Sequence, residues 1–371
     1  MASLFDSTIL SEEGIRSVLR VRGGLPIAYR VTGWKFLLRL PGNSKEFARL
    51  VSKGPHPAVL ASLNMRYPLR DRKLFRKLVV VISALAHWSS IMAEVEFLPN
   101  WVYPFIVVFS QQDDLGAFEA CLSFFLHWGS RLLVTFPQPP VPVLTWMELS
   151  LRRADRELAT HLKSLKVGAL SFGWPLLRSA FSEVFDREAF LRLIDHVLAN
   201  ARQPELLEAA AIGFAVASRA QLLVLGSTGE AEEFFRRRQP SSTFDFERMF
   251  RVMACVSKFG EMEEWKDEDH RVVSLHGRGV DGAMAASPLL RSAPKGFEPL
   301  PRTGKYPFYD GYPQFVVNYQ NQMRERVMMH ERDTGHKCLL VEELRRSAEI
   351  ISSRERALEH AENEAERDVE N

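Results

Sequence analysis

Arg66, Arg70, Arg72, Lys73, Arg76 and Lys77 place six cations within twelve residues. Such a run is a solvated helix face or a platform for an acidic partner surface. The other reactive residue types offer less. Cys121, Cys255 and Cys338 are odd in number, far apart and form no CxxC pair. They make neither a disulfide framework nor a zinc site, and read as small thiols in a reducing compartment. The ten histidines do not cluster at ligand spacing. His87 and His127 each lie beside a tryptophan within apolar stretches, which predicts core histidines with satisfied ring nitrogens. There is no GxxxxGK[ST] phosphate loop, no HExxH and no GxSxG. Gly277-Arg278-Gly279 has no strand before it and is not a dinucleotide signal. No metal and no cofactor are expected.

The elements that must hold the cationic run are helical. Leu74, Leu78, Ile82 and Leu85 mark one face of a helix from about Asp71 to Trp88. Phe118, Leu122, Phe125 and Leu126 mark a second, capped by Asp113 or Asp114. Phe190, Ile194, Val197 and Leu198 mark a third, with Asp186 as cap and Glu188 in its first turn. A fourth runs from Leu206 to Leu225 and stops at Gly226. Pro137, Pro139, Pro140 and Pro142 crowd a connection and forbid helix there. No alternating apolar stretch of any length occurs, so no sheet is expected.

Beyond Leu225 the composition changes. A helix is predicted around Phe244 to Phe259. A flexible loop is predicted near residues 277–301, rich in Gly, Ala, Ser and Pro. The aromatic run Tyr306 to Phe315 is expected to dock onto the helical body. From Glu342 onward the chain has ten acidic and five basic residues. Leu344, Ile351, Leu358 and Ala365 sit seven apart there. Ser347, Arg354, Ala361 and Asp368 hold the companion positions, so only half of a coiled-coil seam is present. The expected organisation is a lead-in over 1–24, a helical domain over 25–225, an extension over 226–330 and a charged helical tail over 331–371.

With 371 residues, 46% hydrophobic and 25% charged, the chain is long enough to bury a core without staples. The net charge of +2 excludes a dedicated nucleic-acid binder. The 25 Phe and 7 Trp exclude a wholly disordered chain. Met1 to Arg20 lacks the apolar core of a signal peptide, and no run reaches the ~18 apolar residues of a membrane span. Leu98 to Phe109 contains Pro99 and Pro104 and is too short. A soluble, cytoplasmic protein is expected.

Several segments together resemble the TBC (Rab-GAP) family. Pro26, Arg30, Trp34 and Leu37-Leu38 follow that family's opening pattern. Trp174-Pro175-Leu176-Leu177, then Leu191-Arg192-Leu193-Ile194-Asp195, follow its late Trp and Leu-x-x-x-Asp pattern. Ser83 to Ser89, Phe181-Ser182-Glu183-Val184, Tyr306-Pro307 and Tyr312 to Gln320 resemble a centrosomal and ciliary branch of the family. The resemblance spans roughly Leu25 to Arg326. It implies an all-α fold with an irregular extension and a charged C-terminal helix.

In that family an Arg and a Gln are supplied to a GTP-bound Rab. The Arg neutralises charge on the transferred phosphoryl group, worth ~10³ to 10⁵ in rate. The Gln orients the attacking water. The family writes these as I-x-x-D-x-x-R and Y-x-Q. The first falls on Leu60 to Arg66, so Arg66 takes the finger position and Leu63 replaces the orienting Asp. The second falls near Ile91-Met92-Ala93 or at Glu94, where neither Tyr nor Gln stands. The nearest glutamines are Gln111 and Gln112. The resemblance therefore implies a Rab-binding adaptor with weak or absent GAP activity. Arg70, Arg72, Lys73, Arg76 and Lys77 would form the partner platform. Centrosomal or ciliary proteins would bind through the tail, and the protein would reside in the cytoplasm or at the ciliary base. The alternative is an active GAP that uses Arg66 with the GTPase's own Gln.

Overall fold

The computed structural model describes residues 11–67, 69–109, 112–133, 135–201, 203–239, 243–257, 265–266, 272–273 and 297–307, with isolated positions between 329 and 353. Helix follows helix in chain order. The first are α1 (Glu12–Arg22), α2 (Ile27–Leu37), α3 (Ser44–Val51), α4 (Pro57–Arg66) and α5 (Arg72–Trp88). A 3₁₀ turn (Ser90–Ala93) leads to α6 (Leu98–Val108) and α7 (Asp114–Phe124). There follow α8 (Val141–Ala154), α9 (Arg156–Ser164), α10 (Ala169–Phe172), α11 (Trp174–Arg178) and α12 (Arg187–Ala199). The last are α13 (Leu206–Ala217), α14 (Arg219–Leu222), α15 (Thr228–Phe234) and α16 (Phe246–Val256). The fold is all-α. Its strands are two residues each, β1 (Trp265–Lys266) and β2 (Val272–Val273), paired antiparallel.

Local chemistry sets the helix starts. Asp71 accepts from the amides of Lys73 and Leu74, Asp113 from Gly116 and Asp186 from Ala189. Each cap satisfies amides that the first helical turn leaves without partners. The apolar faces of α5, α7 and α12 then turn inward, with Leu78, Ile82, Leu85, Phe118, Leu122, Ile194 and Val197 all buried. Aromatic rings join them. Trp34 meets Phe105 at 5.4 Å, Phe105 meets Phe124 at 5.2 Å and Phe124 meets Trp128 at 5.1 Å between centroids.

Three local expectations need correction. The helix predicted over Leu206 to Leu225 breaks at Ser218 and resumes as α14. The break turns Arg219 toward α9, where its guanidinium pairs with Asp155 at 2.9 Å and with Glu157. The proline-rich connection also ends sooner than expected. Pro142 lies in the first turn of α8, where a missing N–H costs nothing. His127 is buried as predicted, but its Nε2 has no hydrogen-bond partner.

One compact unit spans residues 1–312 and a second spans 313–371. In the first, packing continues past residue 225. A Cβ on Gly213 of α13 would lie 2.6 Å from the Met249 carbonyl of α16, so only glycine permits this close approach. Residues 297–301, expected within a flexible loop, lack helix or strand but pack against the core through Phe297 and Leu300. In the second unit the described positions are helical, with an Arg345–Glu349 ion pair one turn apart at 3.4 Å. Residues 277–296, the segment 308–320, the heptad seam and Cys338 lie outside the described residues.

Candidate functional site

Two segments that share no sequence neighbourhood meet at Asp195 on α12. Its carboxylate is fully buried and accepts from the Leu25 amide at 2.8 Å and the Trp34 indole at 2.6 Å. The Arg30 guanidinium donates to both its oxygens at 3.1–3.2 Å. A further Arg30 bond, 2.6 Å to the Leu25 carbonyl, closes the loop before α2. Burial pushes the Asp195 carboxyl up from its ordinary value, and Arg30 pulls it back. The Pro-Arg-Trp opening and the Leu-x-x-x-Asp element are therefore halves of one internal lock. They position structure and perform no chemistry.

A second lock holds residues 297–307. The Glu119 carboxylate accepts from the amides of Gly42 and Asn43 at 3.0 and 2.7 Å and from the Tyr306 hydroxyl at 3.0 Å. Asn43 Nδ2 donates to the carbonyls of Pro301 and Gly304, and the Trp88 indole to that of Pro307 at 2.9 Å. Ser83 Oγ receives the His56 amide, and His87 Nε2 bonds Gly54 O at 2.9 Å. The Ser83 to Ser89 motif and Tyr306-Pro307 thus meet through packing, as the sequence predicted for the docking of Tyr306.

Arg66 closes α4. The helix stops there because Tyr67 leaves helical dihedrals, with φ −131°, and Pro68 follows it, which disfavours helix at residue 67. Val59 and Leu63 form the buried stripe of α4 and Arg66 points out. Leu63 is a core side chain, not a stand-in for a carboxylate. Arg66 Nη1 instead lies 3.0 Å from Glu96 Oε1, between the 3₁₀ turn and α6. The Tyr67 hydroxyl donates to the Glu96 carbonyl at 3.2 Å and secures the same junction. Burial raises the Tyr67 phenol above its ordinary value, which keeps it a donor. Sequence reasoning missed Glu96, because it lies thirty residues from Arg66 with no motif between them.

The rest of the cationic run divides. Arg70, Arg72, Lys73 and Arg76 are exposed around the start of α5. Met65, 73% exposed, adds an apolar contact beside them. Lys77 does not belong to this face. It is buried against α7, with Nζ 3.6 Å from Asp114 and 3.4 Å from the Phe109 carbonyl. Burial lowers its ammonium below the ordinary value, opposed by Asp114. The helix period carries every fourth residue inward, so residue 77 follows the core face where residue 76 does not.

Near residues 91–94, where the resemblance leads one to expect the family's Gln, the 3₁₀ turn buries Ile91 and Met92 in the core and leaves Glu94 exposed. Gln112 precedes the α7 cap and Gln111 lies outside the described residues. Among the described residues, no group of three His, Cys, Asp or Glu is placed to hold a metal ion. Among them also, no helix is long and apolar enough to cross a membrane.

This helical architecture is that of the Rab-GAP TBC domain. The crystal structure of the Ypt/Rab-GAP domain of Gyp1p superposes with a TM-score of 0.54 at 15% identity, covering 69% of this chain and 94% of that one. In sequence the chain is similar to TBC1 domain family member 31. It is 35% identical to that of Xenopus tropicalis over 322 residues, 87% of this chain and 27% of the relative. It is 32% identical to the Bos taurus protein over 345 residues, 93% of this chain and 29% of the relative. The Homo sapiens protein is 31% identical over 335 residues, 90% of this chain and 28% of the relative. The chain thus spans under a third of the length of these relatives. No family model matches it.

Proposed function

We propose that this chain is a docking module for a GTP-bound small GTPase of the Rab class, with weak or absent power to accelerate hydrolysis. The observation that supports this reading is the burial of Ile91 and Met92, near which the resemblance sets the water-positioning Gln. A buried aliphatic side chain cannot orient a nucleophile. The kind of GTPase comes from the superposed structure, a Ypt/Rab-GAP domain. The docking face is Met65, Arg66, Arg70, Arg72, Lys73 and Arg76. Three of these cations crowd the first turns of α5, and the first turn holds no acidic residue. Positive charge at the positive end of a helix opposes the macrodipole. The Asp71 cap offsets part of that cost, and an acidic partner surface would offset the rest. The tail would then gather centrosomal or ciliary proteins in an adaptor role, linked to cilium biogenesis and membrane trafficking.

The test is a panel of Rab GTPases, assayed for GTP-dependent binding and for hydrolysis with and without the chain. Binding to a GTP-loaded member with little change in hydrolysis rate is expected. An acceleration of about a hundredfold that disappears in Arg66→Ala refutes the adaptor reading, because Arg66 would then be acting on the nucleotide itself. The exposure of Arg66 favours a second reading, in which it reaches the nucleotide and the GTPase's own Gln positions water. Acceleration that survives mutation of that Gln rejects this second reading.

A further inference from the structure

We infer that Glu96 is a positioning residue for Arg66, supplying from the junction before α6 the orienting carboxylate that Leu63 cannot supply from within α4. This rests on the reading of Arg66 as a partner-contacting side chain. Three observations converge. Leu63, at the place of the motif carboxylate, is sealed in the core. Glu96 Oε1 lies 3.0 Å from Arg66 Nη1. The Tyr67 hydroxyl, on the residue after Arg66, donates to the Glu96 carbonyl at 3.2 Å. The two contacts tie adjacent residues to Glu96, one through its side chain and one through its backbone. The guanidinium therefore leaves α4 along a set direction.

An arginine presents five N–H donors in a rigid fork, and the 3.0 Å ion pair engages Nη1. The Glu96 carboxylate is 72% exposed and the Arg66 side chain 43% exposed. In water such a pair is weak. A docked partner that excludes water lowers the local dielectric and strengthens it. The pair thus orders Arg66 in the free chain and holds it more firmly in the complex.

The test combines two readouts on the full chain. ¹⁵N relaxation of the Arg66 Nε–H group measures side-chain order without any partner. Wild type is expected to show restricted motion, Glu96→Gln free motion, and Glu96→Asp partial restoration. Binding of a GTP-loaded Rab is expected to weaken about three- to tenfold in Glu96→Gln, with no further loss once Arg66 is alanine. Equal Arg66 mobility in wild type and Glu96→Gln overturns the inference. So does tighter binding by Glu96→Gln, which would make the carboxylate a mask rather than a guide. If no Rab binds wild type, the docking reading fails by itself and the relaxation result still decides whether Glu96 orients Arg66.

Discussion

Asp195→Asn removes one oxygen's charge from a site that three different residues use as an acceptor. Leu25, Arg30 and Trp34 all donate to this buried carboxylate. An amide offers one acceptor oxygen, and its NH₂ must face at least one of the same donors. Arg30 is itself buried, so its cation loses its counter-charge inside the core. Breaking a buried pair from one side costs about 3–5 kcal/mol, a large part of the ~5–15 kcal/mol that holds a typical domain. Thermal unfolding followed by circular dichroism, with urea titration alongside, measures the loss. A fall in Tm on the order of 5 °C or more is expected. The double variant Arg30→Met with Asp195→Leu should be less damaged than Asp195→Asn alone, because an apolar pair leaves no buried charge unpaired. A loss for Asp195→Asn below about 1 kcal/mol, the size of a single ordinary hydrogen bond, refutes the lock. So does a double variant as unstable as the two single losses added together.

Tyr306→Phe should cost about 1–3 kcal/mol, because the buried Glu119 carboxylate loses a hydroxyl donor, and limited proteolysis should then cut within residues 297–307 sooner. Stability should fall as pH drops from about 6.5 through about 4, since burial holds His127 and His196 down to about 4 and keeps them neutral in the fold. Their contribution is fully present above the unfolded value and is lost on acidification. Glu208 acts in the opposite sense, its carboxyl pushed up to about 7 by complete burial, so its contribution is present below about 4.5 and is lost as pH rises through about 7. Urea midpoints across this range check both signs, and Glu208→Gln should steepen the loss of stability on acidification between about 7 and about 4.5, because the opposing Glu208 contribution is then gone.

Helix identity was readable because its causes are local. Asp186 is a cap in the sequence and in the fold, Asp113 rather than Asp114 caps α7, and the helix expected from about Asp71 starts there with Asp71 as its cap; the three- and four-residue spacings named the faces that became core. The break at Ser218 was not readable. The apolar pattern continues through it, and the pull on Arg219 comes from Asp155 and Glu157, more than sixty residues away. Similarly, the cationic run announced itself by composition, but spacing did not show that Lys77 leaves it for Asp114 on another helix.

The sequence by itself determined the all-helical class, the starts of α5, α7 and α12 and the apolar residues that face inward on them, for capping and periodicity act within one or two turns. It also carried both halves of the Asp195 lock as separate motifs. Only the tertiary structure decided that they touch, that Tyr306 reaches Glu119, and that Arg66 faces Glu96. A helical period specifies a face but names no partner. Partners are chosen when the faces of distant elements come together and buried donors must find acceptors there.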